Sequence, residues 1–447
     1  MCAANLLYGM VAVMVYNIID FGAKVSDLLQ TEAIQNAIDK CFLNGSGEVV
    51  IPAGVYRTGG LRLRSHVTLH LLSGAILEAS EDPEDYAALE SDTLEPVSWE
   101  DFQNGIRSSA QPLSRWNHGI IRAVNATDIG IIGDPYSWID GKNCFDSEGE
   151  EGYRGPHGIN LWLCNNVTLR GYTIRNTGNW AHAIFRSENI AVKDVTVYGG
   201  HDGFDAFLSK NVDISECRFF SGDDSIAGYG SEYVRVRDCI LNSSCSAIRF
   251  GGADVIIERC KCTSPTEFAF RGSLTIDKKK LGSMPGPDAR HHSLIAFLYY
   301  CDDRFGELPL PRMGNILIKD CVFENIMQLF NMDFGNHIWC CNKALTSITF
   351  DNCKATGLKQ PIYIHGDRED PIVFNIKNSE LSASPEYNSE VFMDAEFFDT
   401  VNLENVKAEG YVKPEIIIRS EGKVKTSDSG TFNIIKGESG KSGLGGR

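Results

Sequence analysis

Apolar and polar positions alternate along most of this chain, and the alternating pattern itself repeats about every 22 residues. Five consecutive units carry apolar residues at their second and fourth positions, and they start 23, 22, 22 and 21 residues apart. The starts are Asn166, Asn189, Asn211, Tyr233 and Asp254, and six positions later come Tyr172, Val195, Cys217, Cys239 and Cys260. Such a period predicts an all-β fold, a parallel β-helix in which each coil buries its apolar face against the next. A leucine-rich repeat is excluded because its strict leucine frame and its helical half are absent.

The repeat also divides the chain. We predict an N-terminal extension over 1–14, one β-helix domain over 15–425 and a flexible C-terminal tail over 426–447. Residues 31–41 have apolar positions spaced by three and four, which predicts a helix, with Thr31 as its N-cap, over the open end of the solenoid. The polar stretches 81–118 and 278–292 are predicted to be loops beside the site.

Composition narrows the possible partners. A net charge of −17 argues against nucleic acid and anionic membranes. The start of the chain lacks the basic and cleavage regions of a signal peptide, so a cytoplasmic location is expected. Fourteen cysteines are then expected to be reduced, and no metal-ligand spacing is evident among them. We expect neither a metal nor an organic cofactor, and the sequence does not indicate an oligomeric state.

Acidic residues fall in register on one strand of the repeat. Four units beginning at His182, Asp202, Asp224 and Ser246 each have an apolar third residue, which should point inward. Two exposed columns then follow. One holds His182, Asp202, Asp224 and Ser246, with Asp223 at the turn, and the other holds Phe185, Asp205, Ala227, Arg249 and Arg271.

Stacked carboxylates on coils about 4.8 Å apart repel one another unless they share protons or bind a ligand. Such a cluster suits glycoside hydrolysis, in which one protonated acid serves the leaving oxygen and a carboxylate activates water. Two alternatives remain open at this point, namely aspartates at solvated turns and a Ca²⁺ site made of the same carboxylates. Trp116 and Trp180 are candidates for stacking on a sugar ring.

The motifs DFGAK, IDGKNCFD, RGPHGINLWLCNNVTLRGYTIRNTGNWAHAI, HDGFD and GDD resemble glycoside hydrolase family 28 over residues 15–275. That resemblance implies a right-handed parallel β-helix of the pectin lyase-like kind and an inverting hydrolase. It also implies that Asp223 is the general acid, that Asp202 and Asp224 hold the water, and that Asp205 matches the second acidic position of the family motif.

The chain departs from the family pattern at two positions. Ser246 stands where the family has a histidine, and Ser273 stands where it has a lysine after Arg271. Arg249 partly compensates, because it and Arg271 can clamp a sugar carboxylate, although they can equally neutralise Asp205. His182 and Ser246 complete the predicted substrate-binding set.

The expected activity is exo-acting hydrolysis of pectin-type oligosaccharides, derived from galacturonan or rhamnogalacturonan. Three alternatives are a polysaccharide lyase on the same fold, a hydrolase of neutral glycosides and a non-catalytic carbohydrate-binding β-helix.

Overall fold

Short parallel strands stacked into three long sheets make up almost all of the protein. The computed structural model describes residues 14–86, 115–144, 154–266, 268, 294–301, 310–335 and 342–440. Every strand pairing among these residues is parallel, and partners come from successive coils, so the chain winds as a single parallel β-helix. The predicted extension 1–14 and the predicted loops 81–118 and 278–292 lie mostly outside the described residues.

Sheet 1 carries the acidic residues. Its strands are β4 (Leu61–Arg62), β7 (Gly119–Val124), β10 (His157–Trp162), β13 (His182–Phe185), β16 (Phe204–Phe207), β19 (Ile226–Arg237), β21 (Ser246–Glu258), β23 (Ile295–Tyr299), β26 (Gln328–Asp333), β29 (Ile362–His365), β31 (Val391–Glu396), β33 (Glu415–Ile418) and β35 (Asn433–Lys436).

Sheet 2 follows sheet 1 in each coil, and the long strands β19 and β21 continue into it. Its other strands are β1 (Val15–Asn17), β2 (Gly47–Ile51), β5 (Val67–Leu71), β8 (Thr127–Gly133), β11 (Asn165–Arg170), β14 (Glu188–Lys193), β17 (Lys210–Ser215), β24 (Gly314–Lys319), β27 (Ser347–Asp351), β30 (Ile372–Ala383), β32 (Phe398–Glu409) and β34 (Lys423–Ser427).

Sheet 3 completes the coil, and β30 and β32 bend into it from sheet 2. Its remaining strands are β3 (Gly54–Thr58), β6 (Ala75–Ala79), β9 (Trp138–Asp140), β12 (Thr173–Arg175), β15 (Thr196–Gly199), β18 (Arg218–Ser221), β20 (Ile240–Ser243), β22 (Lys261–Thr263), β25 (Val322–Glu324) and β28 (Lys354–Leu358).

The repeat read from the sequence is the register of the coils. Val167 pairs with Ile190, Ile190 with Val212, and Val212 with Val234. These side chains lie on the inner face of sheet 2 and are buried in the core. The residue that starts each unit has a left-handed backbone, with φ of 58° at Asn189 and 56° at Asn211. Asparagine tolerates that conformation better than most residues, which explains why it recurs there.

Side chains also join the coils along these columns. Asn211 Nδ2 donates to Asn189 Oδ1 at 2.9 Å, so asparagine side chains link successive coils. Cys217, Cys239 and Cys260 are buried on successive coils, as the register predicts. The eleven cysteines within the described residues carry no disulfide.

The N-terminal end of the solenoid is covered by helix α1 (Thr31–Leu43), as predicted. The helix residues Ile34, Ala37, Ile38 and Cys41 are buried. The predicted cap is wrong, because Gln30 occupies the N-cap position without a side-chain hydrogen bond. The Thr31 hydroxyl instead accepts from the Gly59 N–H at 2.8 Å and so ties the helix to the first coil.

The β-helix extends beyond residue 425, where we predicted that the domain ends. Strand β34 pairs with β32 and strand β35 pairs with β33, so the β-helix continues to Lys436. The glycines and charged residues near the end suggested a flexible tail, but Ile434 and Ile435 extend the strand register of β33 by one more coil. Within the described residues, no helix is long and apolar enough to cross a membrane.

Candidate active site

Sheet 1 presents a column of side chains on its outer face that includes both a carboxyl group and a guanidinium group. Asp205 pairs with Ala227, and Ala227 pairs with Arg249, so these three residues stand on successive coils as predicted. Their inward neighbours Phe204 and Ile226 are buried in the core. Because side chains alternate along a strand, Phe207 and Tyr229 face the same side as Asp205, two positions further along.

Asp202 and Asp224 lie next to this column, at the turns that lead into β16 and β19. The Asp224 N–H donates to Asp202 Oδ1 at 3.1 Å, and the Gly203 N–H donates to the Asp224 carbonyl at 2.9 Å. One coil further on, the Ser225 N–H donates to the Ser246 carbonyl at 3.0 Å. The structure therefore brings Asp202, Asp224 and Ser246 together on adjacent coils.

We name Asp202, Asp205, Asp223 and Asp224 the acidic cluster. Three of its members are far more buried than an exposed column implies, with 4% of Asp202, 0% of Asp205 and 1% of Asp224 accessible to solvent. Asp223 alone is half-buried. It is therefore the member of the acidic cluster best placed to exchange a proton with a molecule outside the protein.

Burial is the largest cause of the raised pKa of every carboxyl group in the cluster. The pKa of Asp202 and that of Asp205 lie well above the usual range, and the neighbouring carboxylates raise both further. The Asp202 carboxyl also contacts the Asp205 carboxyl, an arrangement in which two acids share a proton. The pKa of Asp223 is raised to about 7.

Three neighbouring side chains favour the charged form of Asp224. Burial raises its pKa, while Arg249, Ser246 and Cys245 all act to lower it. Arg249 Nη1 lies 3.4 Å from Asp224 Oδ2, and its guanidinium carbon lies 3.7 Å from the centre of the Tyr300 ring. The Arg249 side chain is only 12% exposed, so its charge is held against the cluster with little solvent screening.

The predicted position of His182 is wrong. Ala183 pairs with Asp205, so His182 falls in the inward column beside Phe204 rather than with Asp202. Its Nε2 lies 3.0 Å from the Tyr172 hydroxyl, and its Nδ1 lies 2.9 Å from the Gly203 carbonyl oxygen. Because the ring is fully buried, its pKa is lowered to about 4, and the imidazole is neutral.

Phe185 was also assigned to the wrong position, because it pairs with Phe207 and not with Asp205. Phe185 and Phe207 stack with ring centres 5.1 Å apart, and Phe207 meets Tyr229 edge to face at 5.2 Å. We name Phe185, Phe207 and Tyr229 the aromatic column. Phe207 and Tyr229 are half-buried, so part of each ring faces outward beside the acidic cluster.

The tryptophans border the same region. Trp180 stacks on Phe207 with ring centres 5.7 Å apart, and the neighbouring Ala181 N–H donates to the Asp202 carbonyl at 3.0 Å. Trp116 packs edge to face against Trp180 and is itself buried. Of the two predicted stacking residues, Trp180 is the one that is partly exposed.

Sequence reasoning missed several groups near the cluster. Arg154 acts to lower the pKa of Asp223, and Tyr300 lies under the Arg249 guanidinium. Neither has a partner at the repeat spacing that could have identified it. Phe207 and Tyr229 could have been found, because they are 22 residues apart, one period of the repeat. Arg271 and Ser273 lie outside the described residues.

Residues 106–248, which include the whole acidic cluster, match the family model described as "Glycosyl hydrolases family 28". A probable polygalacturonase from Vitis vinifera is 29% identical over 191 residues, which are 40% of this chain and 36% of that protein. An exo-poly-alpha-D-galacturonosidase from Dickeya chrysanthemi is 47% identical over 73 residues, which are 16% of this chain and 12% of that protein. The chain thus matches about a third or less of the length of these curated relatives.

The fold has solved counterparts. The crystal structure of an exopolygalacturonase from Thermotoga maritima superposes with a TM-score of 0.63 and 18% identity, covering 89% of this chain and 92% of that one. At this identity the likeness establishes the fold, and the prediction of a right-handed parallel β-helix is confirmed. The resemblance drawn from the motifs is confirmed as well: the chain is polygalacturonase-like, and the segment that holds its acidic cluster matches glycoside hydrolase family 28.

Proposed function

We propose that this chain is a glycoside hydrolase that cleaves O-glycosidic bonds in pectin-type oligosaccharides, derived from galacturonan or rhamnogalacturonan. One observation carries the proposal. Four carboxyl groups with raised pKa values pack around Arg249 on neighbouring coils, and all four lie in the segment that matches family 28. Clusters of carboxyl groups with raised pKa values are typical of active sites that use general acid–base catalysis near neutral pH.

Asp223 is the proposed general acid. Its pKa of about 7 keeps a large fraction of the group protonated at neutral pH, and it is the half-buried member of the cluster. In the reaction its proton passes to the glycosidic oxygen as the bond from that oxygen to the anomeric carbon breaks. The leaving sugar then departs as a neutral alcohol.

Asp224 is the proposed base, because Arg249 stabilises its ionised form. It takes a proton from a water molecule whose oxygen bonds to the anomeric carbon. Asp202 accepts the Asp224 N–H and contacts Asp205, so it fixes the turn and helps hold the water. Asp202 and Asp224 were both predicted to act as bases. In this proposal Asp224 is the base, and Asp202 is its protonated neighbour.

The stereochemical outcome is a separate part of the proposal. Inversion is proposed on the family resemblance. The nearest oxygens of Asp223 and Asp224 lie within 4.8 Å of each other, closer than the separation of about 6.5–9.5 Å usual between acid and base in inverting enzymes. Proton NMR of the first product anomer decides the matter, since an inverted anomer supports the proposal and a retained one contradicts it.

A uronate is the proposed sugar beside the scissile bond. A guanidinium matches a carboxylate geometrically, and Arg249 is a cation held in a chain with a net charge of −17. The test compares a galacturonate oligomer with its carboxyl-reduced counterpart in the wild type, Arg249→Ala and Arg271→Ala. Because Arg249 also stabilises the ionised Asp224, Arg249→Ala should slow the hydrolysis of both substrates. Loss of one charge-assisted contact with the sugar should add a further cost of about 10- to 100-fold in kcat/KM on the uronate only.

Matched controls make that comparison interpretable. Arg249→Lys keeps a positive charge without the planar fork, and Arg237→Ala removes an arginine that pairs with Asp213 on sheet 2 instead. If the two substrates are cleaved at equal rates, and the ratio of these rates stays the same in both alanine variants of the site, no sugar carboxylate is recognised and a neutral glycoside is favoured.

Exo-action is proposed because of the Dickeya chrysanthemi relative, whose name describes an exo-acting galacturonosidase. An exo-enzyme releases short products from the first turnover while the viscosity of a polymer solution falls slowly. Rapid loss of viscosity with few new reducing ends would contradict this part of the proposal.

A further inference from the structure

Cys245 brings a thiol to the acidic cluster. It precedes β21 at a turn that is fixed by its own N–H, which donates to Ser243 Oγ at 2.9 Å. Of the eleven cysteines within the described residues it alone is not fully buried. Its Sγ and one carboxylate oxygen each from Asp223 and Asp224 all lie within 4.8 Å of one another.

A second observation points to a missing cation at the same place. Asp224 is 1% exposed, and its Oδ1 has no hydrogen-bond partner among the described residues. A buried carboxylate oxygen without a donor is costly unless a proton or a cation compensates it.

We propose that Asp223, Asp224 and Cys245 form a binding site for a thiophilic divalent cation of the Zn²⁺ type. A thiolate and two carboxylates are ligands that Zn²⁺ accepts, and water supplies the fourth position. Zinc–ligand bonds of about 2.0–2.3 Å place the ligand atoms about 3.5 Å apart, so the three groups need to approach one another by no more than about 1 Å. Ca²⁺ and Mg²⁺ prefer ligand sets made only of oxygen, so the thiol selects against them.

A cation bound at this site should inhibit hydrolysis. This expectation rests on the proposed function. The cation takes the carboxylate of Asp223 that would otherwise carry the proton, and it takes the carboxylate of Asp224 that would otherwise accept one. Bound Zn²⁺ therefore inhibits the reaction, and a chelator restores it, while Ca²⁺ does neither.

Binding is tested on the full-length protein without reference to hydrolysis. Co²⁺ is added to reduced protein as a spectroscopic substitute for Zn²⁺, and the charge-transfer band of a cobalt–thiolate bond is recorded. We expect one equivalent to bind with that band, Zn²⁺ to displace it, and Zn²⁺ to protect Cys245 from iodoacetamide in peptide mapping by mass spectrometry.

Cys245→Ser removes the soft ligand and leaves every other thiol in place. It should abolish the band and weaken Zn²⁺ binding at least about tenfold, with circular dichroism and the unfolding midpoint confirming that the variant is folded. Should it instead misfold, alkylation mapping of the wild type with and without Zn²⁺ answers the same question. A Co²⁺ spectrum without a thiolate band, or one unchanged in Cys245→Ser, overturns the proposal.

The two proposals fail in distinguishable ways. If Co²⁺ binds through Cys245 but no oligosaccharide is cleaved, the metal site stands and the hydrolase assignment is wrong. If cleavage proceeds and Zn²⁺ neither binds nor inhibits, the metal site is wrong and the hydrolase assignment stands.

Discussion

At the scale of single residues, the same type of side chain has different roles because its environment differs. Asp205 and Asp202 are fully buried beside each other, whereas Asp224 is buried against Arg249 and Asp223 is half-buried. Burial raises the pKa of all four, and the nearby cations decide how far. These differences assign separate chemical roles to carboxyl groups that are alike in the sequence.

The first prediction concerns pH. Asp223 donates a proton only while it is protonated, and its pKa is raised to about 7, so kcat/KM on a galacturonate oligomer should fall as pH rises through about 7. A pH profile from 5 to 9 measures this. Asp194→Asn is the matched control, because Asp194 is an exposed carboxylate between β14 and β15, outside the turns that carry the cluster, and it should keep the same profile. A profile flat to pH 9 in the wild type would contradict the role of Asp223.

The second prediction separates His182 from the site. Its ring is buried and bonded to Tyr172 and Gly203, so His182→Ala leaves a cavity and two unpaired polar groups. We expect a loss of about 2–4 kcal/mol in the free energy of unfolding, with the pH profile of kcat/KM unchanged. Denaturant unfolding and the profile test this together. A shifted pH profile of kcat/KM without loss of stability would show that His182 acts in the active site.

At the scale of elements, the strand register explains both the successes and the errors of sequence-based prediction. The 22-residue step places Asp202, Asp224 and Ser246 on adjacent coils, and the structure brings them together. The same step from His182 leads to Phe204 rather than to Asp202, which is only 20 residues away. Polarity suggested the wrong alignment, because a neutral histidine in the core looks like a polar surface residue in the sequence.

The third prediction concerns the aromatic column. Phe207 and Tyr229 present half-buried rings beside the acids, and a sugar ring that stacks there gains about 0.5–1.5 kcal/mol per ring. Phe207→Ala should therefore raise KM for oligosaccharides about 2- to 10-fold and change kcat little. Tyr198→Ala removes a comparable stacked ring, paired with Phe220 on sheet 3, and should leave KM unchanged. Equal effects of both variants would show a purely structural role.

The fourth prediction concerns helix α1, which closes the N-terminal end of the core. Ile38 is fully buried there, whereas Leu43 on the same helix is 76% exposed. Ile38→Asp should destabilise the protein by about 3–5 kcal/mol, because it places a charge in the first coil. Leu43→Asp should change the unfolding midpoint little. If both variants unfold alike, the helix does not protect the end of the solenoid.

At the scale of the whole molecule, the fold was predictable because every coil repeats the same pattern of buried apolar residues. Buried apolar pairs such as Val167 with Ile190 recur along the chain, so many weak local signals agree on one architecture. The site was less predictable, since Arg154 and Tyr300 approach the cluster from turns and from other coils, whereas Cys245 lies one repeat of 22 residues after Asp223. The contacts of Arg154 and Tyr300 depend on tertiary structure that the periodic pattern does not encode.

The central claim is that the acidic cluster hydrolyses a glycosidic bond with Asp223 as the proton donor. The most direct measurement is the initial rate of reducing-end release from a galacturonate oligomer by the wild type, Asp223→Asn and the surface control Asp194→Asn. Loss of general acid catalysis predicts at least about a 10²-fold lower kcat for Asp223→Asn, while Asp194→Asn stays near the wild type. Near-normal turnover by a folded Asp223→Asn variant would contradict the claim.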